Sequence, residues 1–210
     1  MKYFEFGTEN PELMVMLHGG GTTYLGMLPT AKVMAKVCHV VLVAYDGFDP
    51  DEPETEFVSS MDEARRLGDY IVEHYHRQIR EHTCFAEHYM LGIPCSAEIH
   101  PYRVKTLGHT TSMPCGPFLV WPHFCSGKTA QHLSANNYTL PPAPAKAGCR
   151  LAYWYGEEEK KARRHNIRFI TGYFPHAGLC GIPQMDHAEL VIIHPQEFYR
   201  YAKRFLDSEG

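Results

Sequence analysis

The chain lacks any apolar run of the 18 or more residues that a membrane span requires, and Met1 to Asn10 hold no basic stretch followed by an apolar one. Neither membrane association nor export is expected, and a cytoplasmic location is the expectation. Paired cysteines at C-x-x-C spacing are also missing. The seven cysteines stand at 38, 84, 95, 115, 125, 149 and 180, an odd and scattered set that fits reduced thiols better than a disulfide framework. A basic domain is absent: Lys and Arg total 20 against 24 Asp and Glu, a formal charge of −4. The densest basic group, Lys160, Lys161, Arg163 and Arg164, directly follows Glu157, Glu158 and Glu159, which reads as a solvated helix end and excludes nucleic acid as the expected partner. There is no internal repeat and no low-complexity tract. With 44% apolar and 21% charged residues, fibrous and disordered classes are excluded. The 210 residues are expected to form one domain over 1–210. What is present in excess is histidine, fourteen in all.

The hydrophobic pattern supplies the organisation. Leu13 to Leu17 and His39 to Ala44 are continuous apolar runs bounded by turn formers, as expected of strands covered on both faces by helices. Between them, Ala31 to Val37 supplies a short helix. Met61, Ala64, Leu67, Ile71, Tyr75 and Ile79 recur at steps of three and four and predict an amphipathic helix. Arg150 to Tyr155 reads as a strand, and Glu158 to Phe174 as a helix with Ala162, Phe169, Ile170 and Tyr173 inward. Gly178 to Pro183 reads as a last strand. Pro195 suits the first turn of a closing helix that buries Phe198, Tyr201, Ala202 and Phe205. Alternating strands and helices imply an α/β fold with a mostly parallel central sheet flanked by helices, irregular in the middle.

The irregular part is His82 to Cys125, extending to about residue 130 as an insert. These 44 positions hold five His, four Cys and five Pro, with little charge and no sustained period. Proline at 94, 101, 114, 117 and 122 excludes a long helix, so loop or distorted strand is expected. A shifted reading frame yields the same bias. His82 with Cys84, or His123 with Cys125, offers soft ligands for a metal-binding module, although the tight paired spacings of structural zinc are missing.

Three constellations carry possible chemistry. His18-Gly19-Gly20-Gly21 follows a core strand, and consecutive glycines let backbone amides face a ligand, as an oxyanion hole requires. The bland alternative is a flexible turn. No Lys-Ser or Lys-Thr follows to make a phosphate loop. Gly156-Glu157-Glu158-Glu159 sits at the end of a strand, where a carboxylate can orient an imidazolium or merely decorate a helix N-terminus. His187, within Gln184 to Leu190, lies after the last strand, at the rim where open α/β sheets place ligands. An imidazole titrates near neutrality and suits a general base.

Taken in order, these three resemble the α/β-hydrolase family. There a strand ends in H-G-G, a late strand is followed by G-x-x-[DE], and a His precedes the last helix. The resemblance covers roughly residues 1–80 and 135–210. It implies Glu159 as acid, His187 as base, Gly20 or Gly21 as oxyanion donors, a small acyl substrate with esters foremost, and no cofactor. The family's G-x-S-x-G is absent. Tyr89-Met90-Leu91-Gly92-Ile93 is similar to the strand that enters that turn, which makes Cys95 and Ser96 the nearest nucleophile candidates. A hydrolase-like scaffold that binds without turnover is the competing expectation.

Overall fold

The computed structural model describes residues 1–19, 22–75, 81–87, 103–109, 150–173 and 175–208. Among them, strands β1 (Lys2–Phe6), β2 (Leu13–Leu17), β3 (His39–Ala44), β4 (Glu81–Glu87), β5 (Arg103–His109), β6 (Arg150–Gly156) and β7 (Gly178–Ile182) form one sheet. Its spatial order is β1-β3-β2-β4-β5-β6-β7. β1 runs antiparallel to β3, and every other neighbouring pair is parallel. The helices are α1 (Tyr24–Met34), α2 (Ser60–Tyr75), α3 (Arg164–Tyr173), α4 (Glu189–Ile192) and α5 (Pro195–Asp207).

The continuous apolar strands are covered on both faces. Met14 and Met16 of β2, with Val40, Leu42 and Ala44 of β3, pack towards Met27, Ala31 and Met34 of α1 and Phe198 of α5. The alternate residues Leu13, Val15, Leu17, Val41 and Val43 pack on the other face, against Leu67, Ile71 and Tyr75 of α2. A period of two within each strand thus feeds two cores. β6 does the same: Trp154 meets Phe198 at 6.0 Å and Tyr201 at 5.7 Å between ring centroids. Tyr153 and Tyr155 pack with Ile170 of α3. Thr30 of α1 donates its hydroxyl to the Val191 carbonyl at 2.5 Å, tying α4 to the same layer.

Several sequence expectations need correction. The first helix starts at Tyr24, seven positions before Ala31 (31 − 24 = 7), because Thr23 accepts the Leu25 amide as a cap and Tyr24 and Met27 bury themselves. That burial offsets the amide donor missing at Pro29. The expected helix from Glu158 is instead a single 3₁₀ turn, Glu157–Glu159, with α3 starting at Arg164. The delayed start rotates the inward face, so Ala162 is exposed while Arg163, Asn166 and Ile170 are buried. The side chains of Phe169 and Tyr173 lie outside the described residues. Within the stretch read as loop or distorted strand, β4 and β5 are regular strands in parallel register, Glu81↔Arg103 through Glu87↔His109. Tyr89 to Ile93 lies outside the described residues, as do Cys95, Ser96, His123 and Cys125.

Candidate active site at the carboxyl rim of the sheet

All strands from β2 to β7 are parallel, so the segments that leave their carboxyl ends emerge along one rim. β2 lies between β3 and β4, with Leu17 in register with Ala86. The chain leaving β2 feeds β3 on one side and β4 opens the other half of the sheet, which makes this the topological switch point where such sheets bind ligands. His18 and Gly19 leave β2 there. Gly20 and Gly21 lie outside the described residues.

His18 is fully buried, and two hydrogen bonds fix its tautomer. Nδ1 stands 3.0 Å from the Gly19 carbonyl, so it donates, while Nε2 accepts the Tyr45 amide at 3.3 Å. Burial pushes this imidazole down to about 4, with the Gly19 carbonyl opposing the shift. A neutral ring thus holds the first residue of the glycine turn in place.

β6 and β7 are neighbours in parallel register, Gly156↔Ile182, so the segments leaving these two strands emerge side by side. After β6 the chain makes its 3₁₀ turn, and the Glu159 carboxylate folds back so that Oε1 accepts the Gly156 amide at 3.2 Å. Glu157 and Glu158 are exposed; Glu159 alone of the three acids is buried. After β7 the chain passes through two left-handed non-glycine residues, Gln184 at φ 58° and Ala188 at φ 61°, that bracket His187. Such conformations cost about 1–3 kcal/mol each and persist where surrounding contacts over-determine them. Those contacts are present: the Glu158 amide donates to the Met185 carbonyl at 3.2 Å, and the Asp186 amide donates to Glu189 Oε2 at 2.7 Å.

His187 Nδ1 comes to 2.7 Å from Glu159 Oε2. The imidazole is 30% exposed and the carboxylate 3%, so an oriented ring with a wet face stands on a dry acid. The structure therefore brings together the expected acid and base. The glycine turn reaches the same rim by its first two residues, and the nucleophile candidates Cys95 and Ser96 follow β4 in sequence.

Sequence reasoning missed two participants. Arg163, expected on a solvated helix end, is buried; its Nε donates to Glu159 Oε2, and its Nη2 lies 3.0 Å from His187 Nδ1. Its spacing of four from Glu159 is a readable helix pair, but no local pattern ties it to His187. Gly156, read as part of a motif, serves by having no side chain. A Cβ there would overlap the Met185 carbonyl, its carbon at 2.6 Å, and the Asp186 carbonyl oxygen at 2.7 Å. Among the described residues no group of three or more His, Cys, Asp or Glu is placed to hold a metal ion, and no helix is long and apolar enough to cross a membrane.

No protein-family model and no curated protein sequence matches the chain. Solved structures do. A protein assigned to the α/β-hydrolase family from Desulfitobacterium hafniense superposes with a TM-score of 0.76 at 13% identity, covering 98% of this chain and all (100%) of that one. MenH from S. aureus gives 0.72 at 15% identity, covering 98% and 97%. A structure from work on carboxylesterases of the thaumarchaeon Nitrososphaera gargenis gives 0.71 at 15%, covering 98% and 93%. The first is named as an α/β-hydrolase family protein and the third comes from work on carboxylesterases, and likeness at such identity shows the fold: the chain has the α/β-hydrolase fold.

Proposed function

We propose that, on this α/β-hydrolase fold, the protein is a hydrolase of ester or related acyl bonds working through a nucleophile, His187 and Glu159. The observation that carries the reading is the 2.7 Å contact between His187 Nδ1 and buried Glu159 Oε2 at the carboxyl rim. With Nδ1 turned to the carboxylate, Nε2 is the nitrogen that takes a proton from a nucleophile. Cys95 or Ser96 is that nucleophile. Attack on the acyl carbon forms a tetrahedral intermediate while His187 holds the proton, and Glu159 stabilises the imidazolium. His187 then returns the proton to the leaving group, and water releases the acyl enzyme by the same base. Amides of Gly20 or Gly21 receive the oxyanion, at about 3 kcal/mol per donor. No metal or cofactor enters this scheme, and the substrate is a small acyl compound.

The absent G-x-S-x-G favours a second reading, a hydrolase-like scaffold that binds without turnover. One experiment separates them. A fluorophosphonate probe is expected to label the wild-type protein and to lose that label in His187→Ala, with short p-nitrophenyl esters turned over in parallel. No label and no turnover would remove the enzymatic reading and leave the scaffold.

A further inference from the structure

Arg163 stands within reach of both partners of the pair yet has no part in a triad of nucleophile, base and acid. We propose that Arg163 is a positioning residue for His187: it anchors the Glu159 carboxylate, offsets its charge, and thereby sets how readily the imidazole takes a proton. The inference rests on Glu159 and His187 being acid and base.

The geometry fixes where the protons sit. At 2.7 Å, Nδ1 and Oε2 are too close for two facing lone pairs, so Nδ1–H donates to Glu159 and Nε2 is the basic nitrogen. A guanidinium carries donors only and stays charged. Nη2 at 3.0 Å from that same Nδ1 is therefore a positive charge beside the ring, and it opposes formation of the imidazolium. Arg163 also donates Nε–H to Glu159 Oε2, the oxygen the imidazole uses. One carboxylate oxygen is shared between two donors, and the pull it exerts on His187 is correspondingly divided.

Backbone structure makes the arrangement rigid. The Arg163 amide donates to the Glu159 carbonyl at 3.0 Å, and the Ile167 amide to the Arg163 carbonyl at 2.9 Å, so residues 159 and 163 share one face of a continuous turn. With side chains 10% and 3% exposed, the Arg163 and Glu159 charges are weakly screened. Among the described residues, the ring's own loop carries two further charges: Asp186, whose Oδ1 accepts the His187 amide at 2.7 Å, and Glu189, which accepts the Asp186 amide. Exposed Glu157 and Glu158 lie on the facing turn. All four are acidic; Arg163, bonded to Glu159, is the basic group that reaches Nδ1.

The test tracks the His187 Cε1–H resonance through a pH titration in wild type, Arg163→Met and Arg163→Lys. In Arg163→Met the midpoint is expected to rise by about 0.5 pH unit or more, whereas Arg163→Lys, which keeps the charge, stays within about 0.3 of wild type. A midpoint that is unchanged or lower in Arg163→Met overturns the proposal. Should that variant fail to fold, the wild-type Arg163 Nε–H resonance decides: it is expected to move with the His187 midpoint, and a flat response overturns the proposal equally. Neither measurement needs turnover. An inactive protein with the expected shift would sink the hydrolase reading alone, and an active protein without it would sink this inference alone.

Discussion

The Met185 carbonyl lies against the Cα of Gly156, in space that a side chain at 156 would fill. Two loops from adjacent strands thereby close on one another, and the Glu158 amide bonds that same carbonyl at 3.2 Å. Gly156→Ala is expected to push the 183–188 loop outward and separate His187 from Glu159. The fold should lose about 1–3 kcal/mol, the range for overpacking at a tight site. Urea denaturation reads the first effect, and fluorophosphonate labelling the second. A variant as stable and as reactive as wild type would show that the close approach is dispensable.

Glu159→Gln keeps the shape of the acid and removes its charge. Arg163 loses its anionic partner and the imidazolium loses its counter-charge, so ester turnover and probe labelling are expected to fall by about 100- to 10,000-fold. Circular dichroism should be unchanged in the far ultraviolet. Turnover within threefold or so of wild type would exclude Glu159 as the triad acid.

Two buried groups give stability opposite dependences on pH. Glu63 on α2 is fully buried; Oε1 accepts from Arg66 at 3.2 Å and Oε2 has no hydrogen-bond partner among the described residues. Burial pushes this carboxyl up to about 7 from 4.5, with nearby Arg66 opposing, so its contribution is full below pH 4.5 and is lost as pH rises through 7. His18 is the reverse: held at about 4 against 6.5 when unfolded, it contributes above pH 6.5 and its contribution is lost as pH falls through 4. Each span corresponds to about 3 kcal/mol. Relative to wild type, Glu63→Gln should therefore gain stability as pH rises from 4.5 to 7, and His18→Gln as pH falls from 6.5 to 4. Denaturation midpoints over that window test both signs. Variants whose profiles run parallel to wild type would refute the assignment.

Phe198 anchors the closing helix. Fully buried, it meets the Trp154 ring at 6.0 Å and belongs to the core that joins α1, β2 and β3. Phe198→Ala is expected to cost about 3–5 kcal/mol. Thermal unfolding measures it, and a cost below about 1 kcal/mol would place the helix outside the cooperative core.

The sequence by itself determined the two central strands and the buried face of the closing helix. Leu13 to Leu17 and His39 to Ala44 are strands over those same residues, and Phe198 and Ala202 of the closing helix are buried as its spacing requires. These are local consequences of side-chain period, readable without knowing what packs on the other side. The order of Glu159 and His187 along the chain, each after a strand, was readable too. Tertiary structure decided what no local pattern encodes. It made Glu159, rather than Glu157 or Glu158, the buried acid, because the 3₁₀ turn directs that carboxylate back to Gly156. It turned Arg163 from a solvated charge into a partner of the pair, and it gave Gly156 its purpose as clearance for Met185. The contacts to His187 and Met185 depend on β7 lying beside β6 in parallel register, and strand pairing joins residues distant along the chain through backbone bonds that carry no side-chain signature.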